Sequence, residues 1–425
     1  MKQRTMKAVG IIAEYNPFHN GHQYHLRESM RLTGADASVA VMSGNFVQRG
    51  EPACLEKWVR AEMAVKSGVD LVLELPFVYA VNSAEFFAKG AIRLLEGLGC
   101  VEAVCFGSEE GNLDQLSAAA AILAEENGEF RTELKKKLDT GMSYPKARSA
   151  VLSQFFPNGG SLLKGPNNIL AVEYLKQLLL TNSAIQAVAI KREGAEYLSK
   201  TLPERMKKTD SFMQFASASA IRAVIHEKRG ENPDFQWIYQ FLPSQSADVL
   251  KQFYDDVYIN LNDFYPLLVY AVLSSEPAEL AAILSVGEGL ENRLLEKIRI
   301  ADSAEELVAL VLSKRYTQTR IQRMLIQILT GLTHEAFQKI DKNNAMYGRV
   351  LGFSQRGARL LKEMKKSGCC RIPLLTNVNR DRLFSPEEEL LLSYDVKASD
   401  LYHLAGGKNL YHFSDFVRTP YCVTL

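Results

Sequence analysis

The sequence is poor in cysteine, nearly without net charge, and has no long apolar run. Each of these excludes something. There are 6 cysteines in 425 residues. They are Cys54, Cys100, Cys105, Cys369, Cys370 and Cys422, and no C-x-x-C pair occurs. Spacing this sparse argues against a disulfide framework. It suits a reducing compartment, and the cytoplasm is the expected localisation. The vicinal pair Cys369-Cys370 reads as packing residues. No apolar stretch reaches the ~18 residues that a membrane helix needs, so no membrane partner is expected. The polar start, Met1 to Met6, and the strand-length apolar run after it carry no signal-peptide pattern. Lys plus Arg is 50 and Asp plus Glu is 49, a formal net charge of +1. A polyanion would therefore have to meet a local patch, since the global charge offers it nothing.

What is present is the balance of a globular protein, with 47% hydrophobic and 23% charged residues. A chain of 425 residues is too long for one ordinary domain. Between residues 8 and 107, short apolar runs alternate with amphipathic segments. Strands are expected at 8–15, 38–42, 69–75 and 101–106, and helices at 20–33, 53–67 and 83–98. That rhythm implies right-handed crossovers and a parallel sheet. Ligands of such sheets bind beyond the carboxyl ends of the strands. Residues 15–22, 43–49, 76–82 and 107–110 should thus line one crevice. Residues 112–182 read as helical, 184–191 as another strand, and 201–215 as an irregular loop. The alternation stops near residue 229. Residues 245–333 carry helical periodicity, and 350–376 suggest a small strand–helix–strand element. The expected fold is α/β. A Rossmann-like domain with a parallel sheet (6–229) precedes a mainly helical region (230–345) and a small α/β appendage (346–425).

His19-Asn20-Gly21-His22 falls where the first strand ends and the first helix begins. A helix N-terminus offers unpaired N–H groups and partial positive charge, which suit phosphate. Gly21 would let a triphosphate approach the backbone. Two imidazoles at i, i+3 share the first turn and can donate to phosphate oxygens as charge builds. His25 adds a third imidazole one step on, which raises a zinc alternative. A second segment, Ser217-Ala218-Ser219-Ala220-Ile221-Arg222, opens a helix. Ser219 can cap it, and Arg222 can reach outer phosphates. The alternative is an ordinary capped helix with a surface arginine.

Together these segments resemble the HxGH nucleotidyltransferase superfamily, with Ala218 and Ala220 departing from its second signature. The resemblance extends to AVGIIAEYNPFHNGHQYH (8–25), MSGNFVQRG (42–50), LELP (73–76), FGSE (106–109), GPNNIL (165–170) and IKREG (190–194). These look like the bacterial tRNA(Met) cytidine acetate ligase family. The resemblance implies ATP and acetate as substrates, elongator tRNA(Met) as partner, and N4-acetylcytidine at the wobble position as product. It implies His19 and His22 as catalytic residues. ATP would contact Ile12, Ala13, Glu14, Tyr15, Asn16, Pro17, Phe18, His19, Asn20, Gly21, His22, Gln23, Tyr24 and His25. Gly107, Asn167 and Arg192 would complete that site, with Ser217, Ser219 and Arg222 on the outer phosphates. Mg²⁺ is expected with the triphosphate.

RNA needs its own surface. Residues 313–323, SKRYTQTRIQR, hold Lys314, Arg315, Arg320 and Arg323 with no acid among them, and Tyr316 offers a ring for stacking. Two alternatives share the motifs. One is a small-molecule adenylyltransferase acting on a phosphopantetheine or nicotinate nucleotide. The other is a non-catalytic nucleotide- or RNA-binding protein.

Overall fold

Apolar runs of strand length become five parallel strands: β1 (Ala8–Ala13), β2 (Ala37–Ser43), β3 (Leu71–Leu75), β4 (Val101–Ser108) and β5 (Gln186–Lys191). The computed structural model describes residues 6–157, 159–192, 214–227, 238–253 and 259–423. The expected loop over 201–215 lies outside them except for its last two residues. The strand order β5-β4-β1-β2-β3 reverses between β1 and β4. A crevice opens at such a switch point, beyond the strand ends. Helix α1 (Asn20–Thr33) follows β1, and α2 (Lys57–Lys66) follows β2. In β3, Leu71, Leu73 and Leu75 face the larger core, while Val72 faces the core under α2. Both faces of the sheet are thus covered, as a parallel sheet requires.

Helix α2 starts later than the apolar pattern suggests. The N–H groups of Ala53 and Cys54 donate to Asn45 O and Asn16 Oδ1, at 2.9 and 2.8 Å. These loop bonds hold the chain out of helix until Glu56.

The expected appendage at 346–425 contains its strand–helix–strand element, but it does not stand apart. Strand β6 (Gly348–Phe353) pairs antiparallel with the open edge of β3. Helix Gln355–Ser367 then leads to β7 (Leu374–Leu375), which runs parallel to β6. The short β8 (Tyr421–Cys422) also pairs with β6. An unpaired edge of β3 would expose a row of backbone donors and acceptors, and β6 covers it. The helical region joins the same core. Leu268, Leu294, Leu307 and Leu325 belong to one apolar cluster with Leu73 and Leu95. Gln327, fully buried, donates to Val81 O at 2.8 Å.

A polar cluster around Lys57 interrupts this core. Lys57 on α2 is fully buried and donates to both oxygens of Glu74 at 2.8 Å and to Asp415 Oδ2 at 2.6 Å. Trp58 Nε1 donates to Asp415 Oδ1 at 3.3 Å, and Arg349 donates to Asp415 O at 3.2 Å. Asp395 accepts from Phe77 N–H at 2.6 Å and from the Tyr347 hydroxyl. Burial pulls the Lys57 ammonium down, but Asp415 and Glu74 together hold it above its usual value. Burial, and then the Glu74 charge, push Asp395 up to about 8. A buried ion pair adds little against an apolar substitute, whereas removing one partner strands the other charge. Lys57→Met should therefore cost roughly 3–5 kcal/mol, read as a lowered urea midpoint. An unchanged midpoint would show that the cluster does not hold the two ends of the chain together.

Candidate active site

The first turn of α1 is closed by its own histidines. His19 is the N-cap residue. Gly21 N–H donates to His19 Nδ1 at 3.0 Å, and His19 N–H donates to His22 Nδ1 at 3.3 Å. This is a reciprocal capping box in which two imidazoles replace the usual hydroxyl and carboxylate. The rings stack with centroids 3.8 Å apart and 23° between planes. Because each Nδ1 accepts, the neutral ring carries its proton on Nε2 and can donate from there.

The first turn also engages its own leading N–H groups. Asn20 N–H donates to Phe241 O at 2.9 Å, so the leading backbone donors of the helix are already used. Gly21 also makes room for the histidine, since a Cβ there would lie 2.8 Å from His19 Cε1.

Burial lowers His19 to about 3, helped by the Arg192 and Arg222 charges. Burial and His19 lower His22 well below its ordinary value, and burial with Arg192 lowers His25 to about 4. The free protein therefore presents neutral donors to an anion.

The histidines open onto a cavity of about 550 Å³ at the strand ends. Ile12, Ala13, Glu14, Tyr15 and Asn16 line it, with His19, Gly21, His22, Tyr24 and His25. Gly107, Asn167, Arg192, Ser217, Ser219 and Arg222 line it as well. Pro17, Phe18, Asn20 and Gln23 do not. Phe18 is in the core, and the Asn20 amide ties α1 to Gln214 O and Gln240 O at 3.0 and 2.9 Å. Tyr15 holds a φ of 47°, a conformation that non-glycine residues seldom adopt. Its buried ring packs against Phe18 and His22, with centroids 4.8 and 4.9 Å away.

Arg60 positions the loops around them. Fully buried, it donates to the carbonyls of Glu14, Leu55 and Ser43 at 2.6, 2.9 and 3.0 Å, and to that of Gly44. The segments after β1 and β2 are thereby held side by side. Glu14 accepts from Gln48 N–H at 2.9 Å, and burial raises its carboxyl.

The second motif meets the first directly. Ser217 rather than Ser219 caps its helix, Ala218–Glu227, accepting from Ala220 N–H at 3.0 Å. Arg222 Nη1 donates to Asn16 O at 2.8 Å, and Nη2 lies 3.5 Å from Ser219 Oγ.

Glu109 has a role that its sequence context did not reveal. Its carboxylate takes the N–H groups of Asn167 and Asn168 at 3.1 and 2.8 Å and the Asn167 side-chain amide at 2.6 Å. The helix Pro166–Leu180 has no side-chain cap of its own, which is the signal that a remote carboxylate was needed. The Asn167 NH₂ is thus engaged, which leaves its oxygen for a ligand.

The basic run at 313–323 divides. Lys314 is exposed. Arg315 pairs with Glu288 at 2.8 Å, and the Arg320 guanidinium lies 4.7 Å from the Tyr316 ring centroid. Tyr316 is buried and its hydroxyl donates to Glu288, so its ring is not presented for base stacking. The acid comes from another part of the chain, which the run itself could not show. Arg323 lines the cavity, with Thr317 and Thr319.

Among the described residues no group of three or more His, Cys, Asp or Glu could hold a metal. Mg²⁺ would have to come with the nucleotide's own phosphates, since the residues here build no cage for it.

Neutral buried histidines bind fewer protons than they do in the unfolded chain, so their contribution to stability is full above about pH 6.5 and is lost as pH falls toward about 3. In the nucleotide-free protein the ring resonances of His19 and His25 should not titrate between about pH 8 and pH 5. An inflection near 6.5 for His19 would refute the neutral assignment.

The family model of HIGH Nucleotidyl Transferase matches residues 6–414. The chain is 41% identical over 404 residues to a tRNA(Met) cytidine acetate ligase of Caldanaerobacter subterraneus subsp. tengcongensis, covering 94% of this chain and 96% of that one. It is 42% identical over 401 residues to a tRNA(Met) cytidine acetate ligase of Caldicellulosiruptor saccharolyticus, covering 94% of each. The crystal structure of Thermotoga maritima TmcAL, apo form I, superposes with a TM-score of 0.88 at 32% identity, over 98% of this chain and 100% of that one. The form bound with alpha-thio ATP gives a TM-score of 0.87 at the same 32% identity and the same coverage. Matched by that family model over nearly its whole length, and by these relatives at about 40% identity over more than nine-tenths of each chain, the chain belongs to the tRNA(Met) cytidine acetate ligase family of HIGH nucleotidyltransferases.

Proposed function

We propose that this chain uses ATP to activate acetate and transfers the acetyl group to N4 of the wobble cytidine of elongator tRNA(Met). The observation that carries this reading is the pair of neutral imidazoles, each with Nε2–H free to donate, at a cavity that Arg192, Arg222, Ser217 and Ser219 also line. The alpha-thio ATP of the Thermotoga maritima protein supports ATP as the occupant.

An acetate oxygen attacks the α-phosphorus, the bond to the bridging oxygen breaks, and pyrophosphate leaves. His19 and His22 donate to the phosphoryl oxygens as charge builds, while Ser217, Ser219 and Arg222 hold the outer phosphates. Fixed donors in a water-poor site need no reorganisation at that moment. The acetyl-adenylate is already activated, so no covalent acetyl-enzyme is needed. N4 then attacks the acetyl carbon, AMP leaves, and the nitrogen loses a proton. N4 is a weak nucleophile, so holding it beside the adenylate supplies much of the rate. Lys314, Arg315, Arg320 and Arg323 serve the tRNA from the helical region.

His22→Ala should lower acetate-dependent pyrophosphate release by about 10²–10³-fold, the usual cost of one lost oxyanion donor. Mass spectrometry of tRNA(Met) treated with the wild type, ATP and acetate should find N4-acetylcytidine. Pyrophosphate release that is indifferent to acetate would favour a small-molecule adenylyltransferase. No release at all would favour a binding protein.

A further inference from the structure

The basic run of the helical region does not act as one surface. Three of its cations stay outside, and Arg323 turns into the catalytic cavity. Arg323 sits on the helix Gln318–Thr330, where that helix presses against the loop after β2. The contact is backbone to backbone. Gly50 has a φ of 78°, and a Cβ on it would lie 2.3 Å from Arg323 N. The Arg323 side chain is half-buried, and among the described residues it pairs with no carboxylate. Its hydrogen bond is a long one, from Nη1 to Gln48 O at 3.5 Å. A guanidinium has five N–H donors, so most of its capacity is unused. Burial, and then repulsion from Arg320, pull it down to about 10. A half-buried cation facing another cation is unfavourable unless an anion joins them.

Which anion is decided by position. Arg222, Ser217 and Ser219 line the same cavity and are already assigned to the outer phosphates of ATP, Arg222 lying 3.9 Å from Glu51. Arg323 lies one turn along the helix from Arg320, whose guanidinium sits over the Tyr316 ring outside the cavity. Arg320 outside the cavity and Arg323 inside it set two cations on one helix face, and a ligand that can meet both is a polyanionic strand.

We propose that Arg323 binds a phosphodiester flanking the nucleotide to be acetylated. It thereby marks the seam between loop 47–51 and helix Gln318–Thr330 as the place where the RNA enters. This deepens the acetate-ligase reading and rests on it. Arg323 is a positioning residue: it holds the backbone of the acceptor while N4 reaches the adenylate.

Two measurements on the full chain test the assignment. The first is tRNA(Met) binding over a series of salt concentrations, for the wild type, R323Q and R323K. R323Q should bind about tenfold more weakly, with a log–log salt slope shallower by about 0.7–0.9 for the single lost contact. R323K, which keeps a point charge, should recover most of that slope. The second is acetate-dependent ATP–pyrophosphate exchange without RNA. The KM for acetate should not rise in R323Q. A raised acetate KM with unchanged tRNA binding would make acetate the anion and overturn the proposal, and an unchanged salt slope would overturn it as well. A wild type that binds tRNA(Met) but never acetylates it would defeat the acetate-ligase reading. The binding series would still judge Arg323.

Discussion

The buried ammonium of Lys57 is the point on which the architecture turns. Without it, Glu74 would be a carboxylate in the middle of an apolar strand, and Asp415 an unpaired charge in the core. Each would cost several kcal/mol. With it, the end of β3, the start of α2 and a segment near the end of the chain close on one another. The catalytic cavity lies at the same strand ends. Its shape therefore depends on a contact that no residue of the cavity makes.

Two arginines show how burial without a carboxylate can serve opposite purposes. Arg60 satisfies its donors on four backbone carbonyls and becomes part of the scaffold. Among the described residues Arg323 makes one long hydrogen bond, to Gln48 O. The histidines follow the same logic. His19 and His22 spend Nδ1 on the backbone and leave Nε2 for the ligand. In each case the hydrogen bonds already made say which donors remain for chemistry.

Much of this was legible in the residues. The alternation of apolar runs gave the strands, and helix α1 begins and ends where its pattern says. The expected crevice is lined after β1, β2 and β4 by residues such as Asn16, Gln48 and Gly107, but by none of 76–82. What the residues hid depends on pairing at long range. Glu109 caps a helix 58 positions away. Glu288 neutralises Arg315 and engages Tyr316 from outside their run. The edge of β3 attracts β6 because it is open, which no local periodicity records. A second demand on Gly21 was also hidden, since its missing Cβ makes room for the His19 imidazole.

The Lys57 contact also sets a timetable. Its partner Asp415 lies 358 positions further along the chain. During synthesis the parallel strands emerge first, each beside its neighbour, while β3 waits with an open edge and Lys57 with half its charge partners missing. Contacts this remote slow folding, and partly made chains with unpaired edges are prone to association. The amino-terminal half is therefore expected to stay unfinished until the carboxyl-terminal segment leaves the ribosome. An mRNA truncated before Asp415 would direct a chain that holds every residue of the nucleotide motifs without the lock that sets the strand ends around them.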